Sequence, residues 1–128
     1  MADGSRYNAG YMYSPQILDH FENPRNAGRL TAPHGTGRVQ NPGCGDVMEI
    51  TVQVADGVIR EARFMAQGCV PALACASLVA EWLTGKPVEQ ARQIRKEQIV
   101  EALGGLPPAS LHASQLAVDA AKAALAGL

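Results

Sequence analysis

The chain has 128 residues, 47% of them hydrophobic, and a formal net charge of −1 at pH 7. This length is typical of one domain with a modest core, and the near-neutral charge does not indicate a nucleic-acid partner. No apolar run reaches the roughly 18 residues of a membrane span, and the N-terminus lacks the pattern of a secretion signal. Three cysteines favour a reducing compartment over a disulfide framework, so we expect a cytoplasmic protein.

The first third of the chain predicts an extension, one short helix and a connection. Residues 1–11 are polar and lack periodicity, so we expect a disordered extension before a domain over residues 12–128. Ser14 followed by proline is a helix-start pattern, and apolar residues share one helical face until Pro24. The glycines and prolines of residues 25–42 predict an extended, mobile connection rather than a core element.

A β-hairpin follows this connection. Residues 48–54 alternate apolar and polar side chains, which is the period of a half-buried strand. A tight-turn sequence at residues 55–57 precedes a second strand over residues 58–66. An antiparallel hairpin brings together the start of its first strand and the end of its second. We therefore expect three side chains at these two ends to lie at one sheet edge: Cys44, Asp46 and Cys69.

Helical patterns occupy the rest of the chain. We expect helices over residues 71–84, 88–93 and 96–103, then a rigid extended link at Pro107-Pro108. A final helix over residues 110–126 would be capped by the Ser110 side chain and would carry His112 in its first turn. The pattern as a whole predicts an α+β fold with a small antiparallel sheet, from about Val39 to Ala66, and helices packed on one of its faces.

Four side chains in these segments form a complete ligand set for zinc or for a small iron–sulfur cluster: Cys44, Asp46, Cys69 and His112. Taken singly, each has an ordinary structural interpretation, as a buried thiol, a turn residue or a helix-start residue. At a helix N-terminus Cys69 would be favoured as a thiolate. Cys75 shares a core-facing helical stripe with Val79, and we interpret it as a packing thiol outside the set.

Several short motifs resemble those of the IscU/NifU-type iron–sulfur cluster assembly scaffold proteins. The segments that carry this resemblance follow the family's order along the chain: Leu18-Asp19-His20-Phe21, Asn23-Pro24-Arg25-Asn26, Cys44-Gly45-Asp46, Gly68-Cys69, Leu106-Pro107-Pro108 and Leu111-His112. The resemblance implies a SufE/NifU-like fold and a non-enzymatic scaffold that binds zinc or iron and holds a transient [2Fe-2S] cluster. It also implies a cysteine desulfurase as sulfur source, iron or electron donor proteins, and acceptor apoproteins.

Two positions depart from the family pattern. Ala113 stands where the family has a third cysteine, its main persulfide acceptor, so we expect impaired sulfur acceptance with less damage to metal binding. The segment Leu106-Pro107-Pro108 lacks the lysine that follows it in bacterial members, so docking of an Hsp70-type chaperone should be weaker. The alternatives are a divergent zinc-binding paralogue that regulates the assembly machinery and an inactivated scaffold.

Overall fold

The computed structural model describes residues 13–43 and 45–128. The predicted extension over residues 1–11 therefore lies outside the described part of the chain. The strands are β1 (Gly35–Gln40), β2 (Val47–Ala55) and β3 (Val58–Gln67), and they form one antiparallel sheet in the order β1-β2-β3. The helices are α1 (Pro15–Glu22), α2 (Val70–Leu83), α3 (Val88–Ala91), α4 (Lys96–Ala102) and α5 (Leu111–Leu125).

The hairpin of β2 and β3 is confirmed. Its register runs from Val47 opposite Gln67 to Ala55 opposite Val58, with one irregularity after Gln53. Asp56 and Gly57 turn the chain with positive φ angles of 55° and 75°, as a two-residue hairpin turn requires. The register places the residues just before β2 beside those just after β3, at the end of the sheet where the candidate ligands were expected.

The sheet has one strand more than a hairpin, and it begins earlier than predicted. Residues 35–40 were expected to belong largely to a mobile connection, yet they form β1 and pair along β2. The physical reason is the packing of α5, because a β-carbon on Gly35 or Gly37 would overlap a backbone carbonyl of this helix, that of Ala124 or Ala120. These glycines are thus contact points between strand and helix.

The long helices α2 and α5 pack on one face of the sheet, α5 against β1 and β2, and α2 mainly against β3. This face carries Met48, Ile50 and Val52, which are fully buried. The fold is therefore α+β with helices on one face of a small antiparallel sheet. α1 packs on α2 rather than on the sheet.

The opposite sheet face is partly covered by the segment that was predicted to be mobile. The amide of Gly28 donates to the Phe64 carbonyl at 2.7 Å, and the Phe64 amide donates to the Asn26 carbonyl at 3.0 Å. Leu30 donates its amide to Oγ1 of the buried Thr51 at 3.2 Å. These bonds tie the segment to the outer edge of β3 and to β2, so the prediction of mobility is wrong for this part.

The helix boundaries agree with the predicted patterns to within a few residues. The Ser14 side chain accepts a hydrogen bond from the Ile17 amide at 3.1 Å, which confirms the predicted start of α1. Two details differ near α5: a 3₁₀ turn over Pro108–Ser110 replaces part of the extended proline link, and the Ser110 side chain makes no capping hydrogen bond. Within the ranges described above, no helix is both long and apolar enough to cross a bilayer.

Candidate functional site

The carboxylate of Asp46 contacts two of the other predicted ligands. Its Oδ2 atom lies 3.7 Å from Sγ of Cys69 and 3.2 Å from Nε2 of His112. The hairpin register supplies the first contact and the docking of α5 on the sheet supplies the second. Asp46, Cys69 and His112 are therefore brought together from three separate elements. The fourth predicted ligand, Cys44, lies outside the described residues.

The loop between β1 and β2 is held by its own backbone. The Gly45 amide donates to the Asn41 carbonyl at 2.7 Å, and the Asn41 amide donates to the Asp46 carbonyl at 2.8 Å. Gly45 has a φ of +79°, a conformation that glycine adopts without steric cost. The loop thereby fixes the backbone of Asp46, a residue that is only 5% exposed.

Cys69 occupies the N-cap position of α2, as predicted, but its protonation differs from the expectation. Burial raises the pKa of the Cys69 thiol, and the negative charge of Asp46 raises it further, while a hydrogen bond from the Ala72 amide acts in the opposite direction. The predicted thiolate stabilisation at the helix N-terminus is thus outweighed. Sγ of Cys69 lies 3.7 Å from Oδ2 of Asp46, so a protonated thiol can donate to this carboxylate.

His112 lies in the first turn of α5, as predicted. Its side chain is 33% exposed, compared with 7% for the Asp46 side chain. The imidazole is therefore the more accessible of the two at this edge. The carboxylate holds the imidazole in a defined orientation, as acceptors behind metal-binding histidines do.

The neighbouring Cys75 and Ala113 are both fully buried. Burial, together with the nearby Cys69, raises the pKa of Cys75 to about 12. A thiol of this kind is unreactive near neutral pH, so the interpretation of Cys75 as a packing residue is confirmed. Ala113 places a methyl group in the core beside His112, at the position where the resemblance leads one to expect a thiol.

The donor set is suited to a thiophilic metal or an iron–sulfur cluster, since it combines sulfur, imidazole nitrogen and carboxylate oxygen. In the part of the chain covered by the structure, however, no three His, Cys, Asp or Glu side chains are arranged to hold a metal ion. Asp46 Oδ2 is instead the common partner of Cys69 and His112. Binding of a metal would require these hydrogen bonds to open and the Cys69 proton to leave.

Sequence reasoning missed two features near this site. Gly68 lies directly against the Asp46 carboxylate, and its position just before a ligand cysteine was the available signal. His20, for which the sequence pattern indicates no partner, is buried and its Nδ1 lies 2.9 Å from Oγ of Ser77. Ser77 also accepts a hydrogen bond from the Arg25 amide at 2.8 Å. This contact fastens α1 to α2, the helix that Cys69 begins.

The α+β fold thus brings a cysteine, an aspartate and a histidine together at one sheet edge. The family model described as "NifU-like N terminal domain" matches residues 12–127, and the chain belongs to this family. This membership confirms the resemblance seen in the sequence motifs. Of the residues that the structure describes, all except Leu128 lie within this match.

Curated relatives agree with the family assignment. The chain is 48% identical over 118 residues to the "Iron-sulfur cluster assembly scaffold protein IscU" of Haemophilus influenzae, covering 89% of this chain and 93% of the relative. It is 47% identical over 118 residues to the protein of the same name from Escherichia coli K12, with coverages of 89% and 91%. An archaeal relative, "Iron-sulfur cluster assembly scaffold protein IscU 1" of Archaeoglobus fulgidus, is 44% identical over 114 residues, with coverages of 89% and 74%.

Solved structures show the same fold at lower sequence identity. The N-terminal part of a nitrogen-fixing NifU-like protein from Brucella abortus superposes with a TM-score of 0.71 at 19% identity, covering 91% of this chain and 94% of that one. A putative SUF-system scaffold protein from Fervidobacterium islandicum gives a TM-score of 0.73 at 17% identity, with coverages of 91% and 98%. These similarities support the α+β assignment of the fold.

Proposed function

We propose that this protein is an iron–sulfur cluster assembly scaffold that holds a transient [2Fe-2S] cluster at Cys44, Asp46, Cys69 and His112 and releases it to acceptor apoproteins. It performs no catalytic reaction of its own in this proposal. The observation that carries it is the contact of Asp46 with both Cys69 and His112, in a chain whose relatives are named as scaffold proteins. We expect it to act in the cytoplasm, where thiols stay reduced.

The chemistry of these four side chains suits temporary storage. Two thiolates, one imidazole and one carboxylate give two protein ligands to each iron of a two-iron cluster. The carboxylate is the hardest donor of the four and binds iron–sulfur cargo less firmly than a thiolate would. The Asp46 carboxylate, used as a ligand where a further thiolate would bind more firmly, therefore favours release of the cluster. When iron and sulfide are absent, the same four donors suit tetrahedral zinc.

Loading of the site is coupled to proton release. Cys69 must lose its proton to bind a metal, and its raised pKa means that this proton is held more firmly than in a free thiol. Asp46 Oδ2 must also exchange its hydrogen bonds for a bond to the metal. We therefore infer that Asp46 holds Cys69 and His112 in place before loading and becomes a ligand during it.

Assembly on this scaffold needs partner proteins. The chain departs from the family pattern at the positions expected to serve two of them, the desulfurase and the chaperone. A cysteine desulfurase would deliver sulfur, and iron or electron donor proteins would supply the rest. Cys69 or Cys44 must then accept the sulfur, because Ala113 offers only a buried methyl group. Leu106-Pro107-Pro108 ends in a 3₁₀ turn and lacks a following lysine, so an Hsp70-type chaperone should dock here only weakly.

A second candidate function follows from Ala113. A scaffold without an acceptor thiol could bind zinc and occupy the assembly machinery as a regulator without turnover. This divergent or inactivated scaffold would keep the metal site while losing sulfur transfer. It differs from the first candidate in one measurable respect, which is the source of sulfur that it can use.

Cluster formation by two routes separates these functions. Absorbance is followed during anaerobic reconstitution with iron, sulfide and thiol, and during assembly driven by a desulfurase, for the wild type and for Ala113→Cys. We expect a labile [2Fe-2S] cluster in both proteins by the chemical route, and much faster desulfurase-driven assembly in Ala113→Cys. Ala117→Cys is the matched control, because it adds a thiol at another fully buried alanine of α5.

Three outcomes decide the proposal. Equal desulfurase-driven rates in the wild type and Ala113→Cys would show that Cys44 or Cys69 already accepts sulfur. Acceleration by Ala117→Cys as well would show that position 113 is not special. Failure of both the wild type and Ala113→Cys to hold a cluster by the chemical route would remove the scaffold function and leave the zinc-binding regulator.

A further inference from the structure

One corner of the sheet face opposite the helices is open to solvent and carries arginine side chains. A cavity of about 140 Å³ lies here, lined by Arg29, Arg38, Val47, Met65, Ala66 and Gln67. We call this surface the arginine corner. The segment over residues 26–32 covers other parts of the same face, where it bonds to Phe64 and Thr51.

The arginine corner carries a net positive charge, because two arginine side chains surround a single buried carboxylate. Arg29 donates two hydrogen bonds to Glu49, at 2.5 and 3.1 Å, and Arg38 lies 3.7 Å from the same carboxylate. The Glu49 side chain is 7% exposed, whereas those of Arg29 and Arg38 are 56% and 62% exposed. Two guanidinium groups share one carboxylate, so most of their N–H donors face solvent. The hydrogen bonds to Glu49 also raise the pKa of Arg29, and arginine side chains are always charged near neutral pH.

An apolar side chain lies beside this charge. Met65 is 46% exposed, one of few large apolar residues with such exposure in the described ranges. The methionine side chain is flexible and polarisable and adapts to different partner surfaces. The corner thus combines a fixed positive charge with an adaptable apolar contact, which is the composition of a protein-binding surface.

The corner borders the candidate metal site. Val47 directly follows Asp46, and Gln67 is separated from Cys69 only by Gly68. The two residues face each other in the register of β2 and β3. A partner seated on the corner would therefore contact the same end of the sheet that presents Cys69 and His112.

We propose that the arginine corner is the docking surface for a partner protein that presents carboxylate side chains on either side of an apolar side chain. The carboxylates would pair with Arg29 and Arg38, and the apolar side chain would contact Met65 and Val47. Opposite charges on the two surfaces favour encounter and orient the partner. Docking at this surface does not depend on the proposed scaffold function. Only the partner's task, which is to deliver cargo to the site or to collect it, rests on that function.

A peptide of matching chemistry tests this surface directly. The probe is a blocked peptide, Glu-Asp-Glu-Leu-Glu-Asp-Glu, titrated into protein with ¹³C-labelled methionine methyl groups. We expect a saturable shift of the Met65 signal and none for the fully buried Met48. Arg38→Gln should weaken binding about fivefold, as expected for loss of one exposed charge pair. The matched control is Arg60→Gln, which removes an arginine that is 56% exposed beside Asp56, near the hairpin turn.

The outcomes separate docking from weaker explanations. Equal loss of affinity in Arg38→Gln and Arg60→Gln would show unspecific charge attraction and overturn the proposal, as would no loss in either. If the affinity is unchanged when glycine replaces the leucine of the peptide, the proposed apolar contact with Met65 and Val47 is wrong. Saturation of the same Met65 shift by citrate at equal concentration would make the corner a small-anion site instead. Because the readout is peptide binding, failure here leaves the scaffold function untouched, and loss of metal binding in other variants leaves the docking surface untouched.

Discussion

A β-carbon on Gly68 would lie 2.7 Å from Cγ of Asp46, closer than packed side chains approach one another. The Asp46 carboxylate thus occupies the space that any other residue at position 68 would need. Gly68 also has a φ of +156°, within the range that favours glycine. The absence of a side chain at Gly68 is therefore what allows Asp46 to lie between Cys69 and His112.

Gly68→Ala should weaken zinc binding by about tenfold or more, a typical cost of displacing a group that orients metal ligands. The measurement is competition with a chromophoric chelator. Gly85→Ala is the matched control, since Gly85 also has a positive φ, of +91°, but a β-carbon there would contact nothing within 4 Å. Equal zinc affinity in wild type and Gly68→Ala would show that the position of Asp46 does not matter for the site.

Asp46→Asn should make the Cys69 thiol more reactive. Burial raises the Cys69 pKa most and the Asp46 charge adds to it, so removing the charge should lower this pKa. The thiolate fraction, and with it the alkylation rate, should rise at pH 7 to 8. The measurement is the pH dependence of alkylation in metal-free protein with Cys44→Ser. A profile that is unchanged, or displaced to higher pH, would contradict the assignment of Asp46 as a cause.

Because of His20, the protein should become less stable as the pH falls. Burial lowers the pKa of His20 in the folded state, so the unfolded chain binds the proton more firmly. The free energy of unfolding should therefore decrease as pH falls from above 6.5 towards the lowered pKa. Urea unfolding at pH 7.5 and 5.5 measures this change, which His20→Gln should reduce. An identical decrease in wild type and His20→Gln would show that another group is responsible.

Gly37→Ala should lower the free energy of unfolding by about 2 kcal/mol, as expected for overpacking a close contact. A β-carbon at Gly37 would overlap the carbonyl oxygen of Ala120 in α5. The neighbouring exposed residue gives the control, since Thr36→Ala should change the stability by no more than about 0.5 kcal/mol. Equal effects of the two changes in denaturant unfolding would mean that β1 and α5 are less closely packed than the structure shows.

The hairpin and the helices could be predicted because their periodicity is local. Strand β1 could not, because Gly35 and Gly37 have the composition of a loop when taken alone. Their role depends on alanines of α5 more than eighty residues further along the chain, which lie against the strand only after folding. The same holds for Leu30, whose amide is fixed by a side chain of β2.

The convergence of Asp46, Cys69 and His112 was predictable from the hairpin and the start of α5, but their electrostatics were not. The N-cap position of Cys69 indicates a favourable helix dipole, and this local cue gave the wrong sign for the shift of its pKa. Burial and the charge of Asp46, which is distant in sequence, decide it. A pKa in a folded site depends on depth and neighbours, which the pattern along the chain does not contain.

The coordination of zinc in the purified protein tests the proposed site most directly. X-ray absorption at the zinc edge should show two sulfur ligands at about 2.3 Å and two nitrogen or oxygen ligands at about 2.0–2.1 Å, from Cys44, Cys69, His112 and Asp46. Cys69→Ser should leave one sulfur ligand, whereas the buried control Cys75→Ala should leave the spectrum unchanged. An unchanged spectrum for Cys69→Ser, or loss of a sulfur ligand in Cys75→Ala, would contradict this assignment of the site.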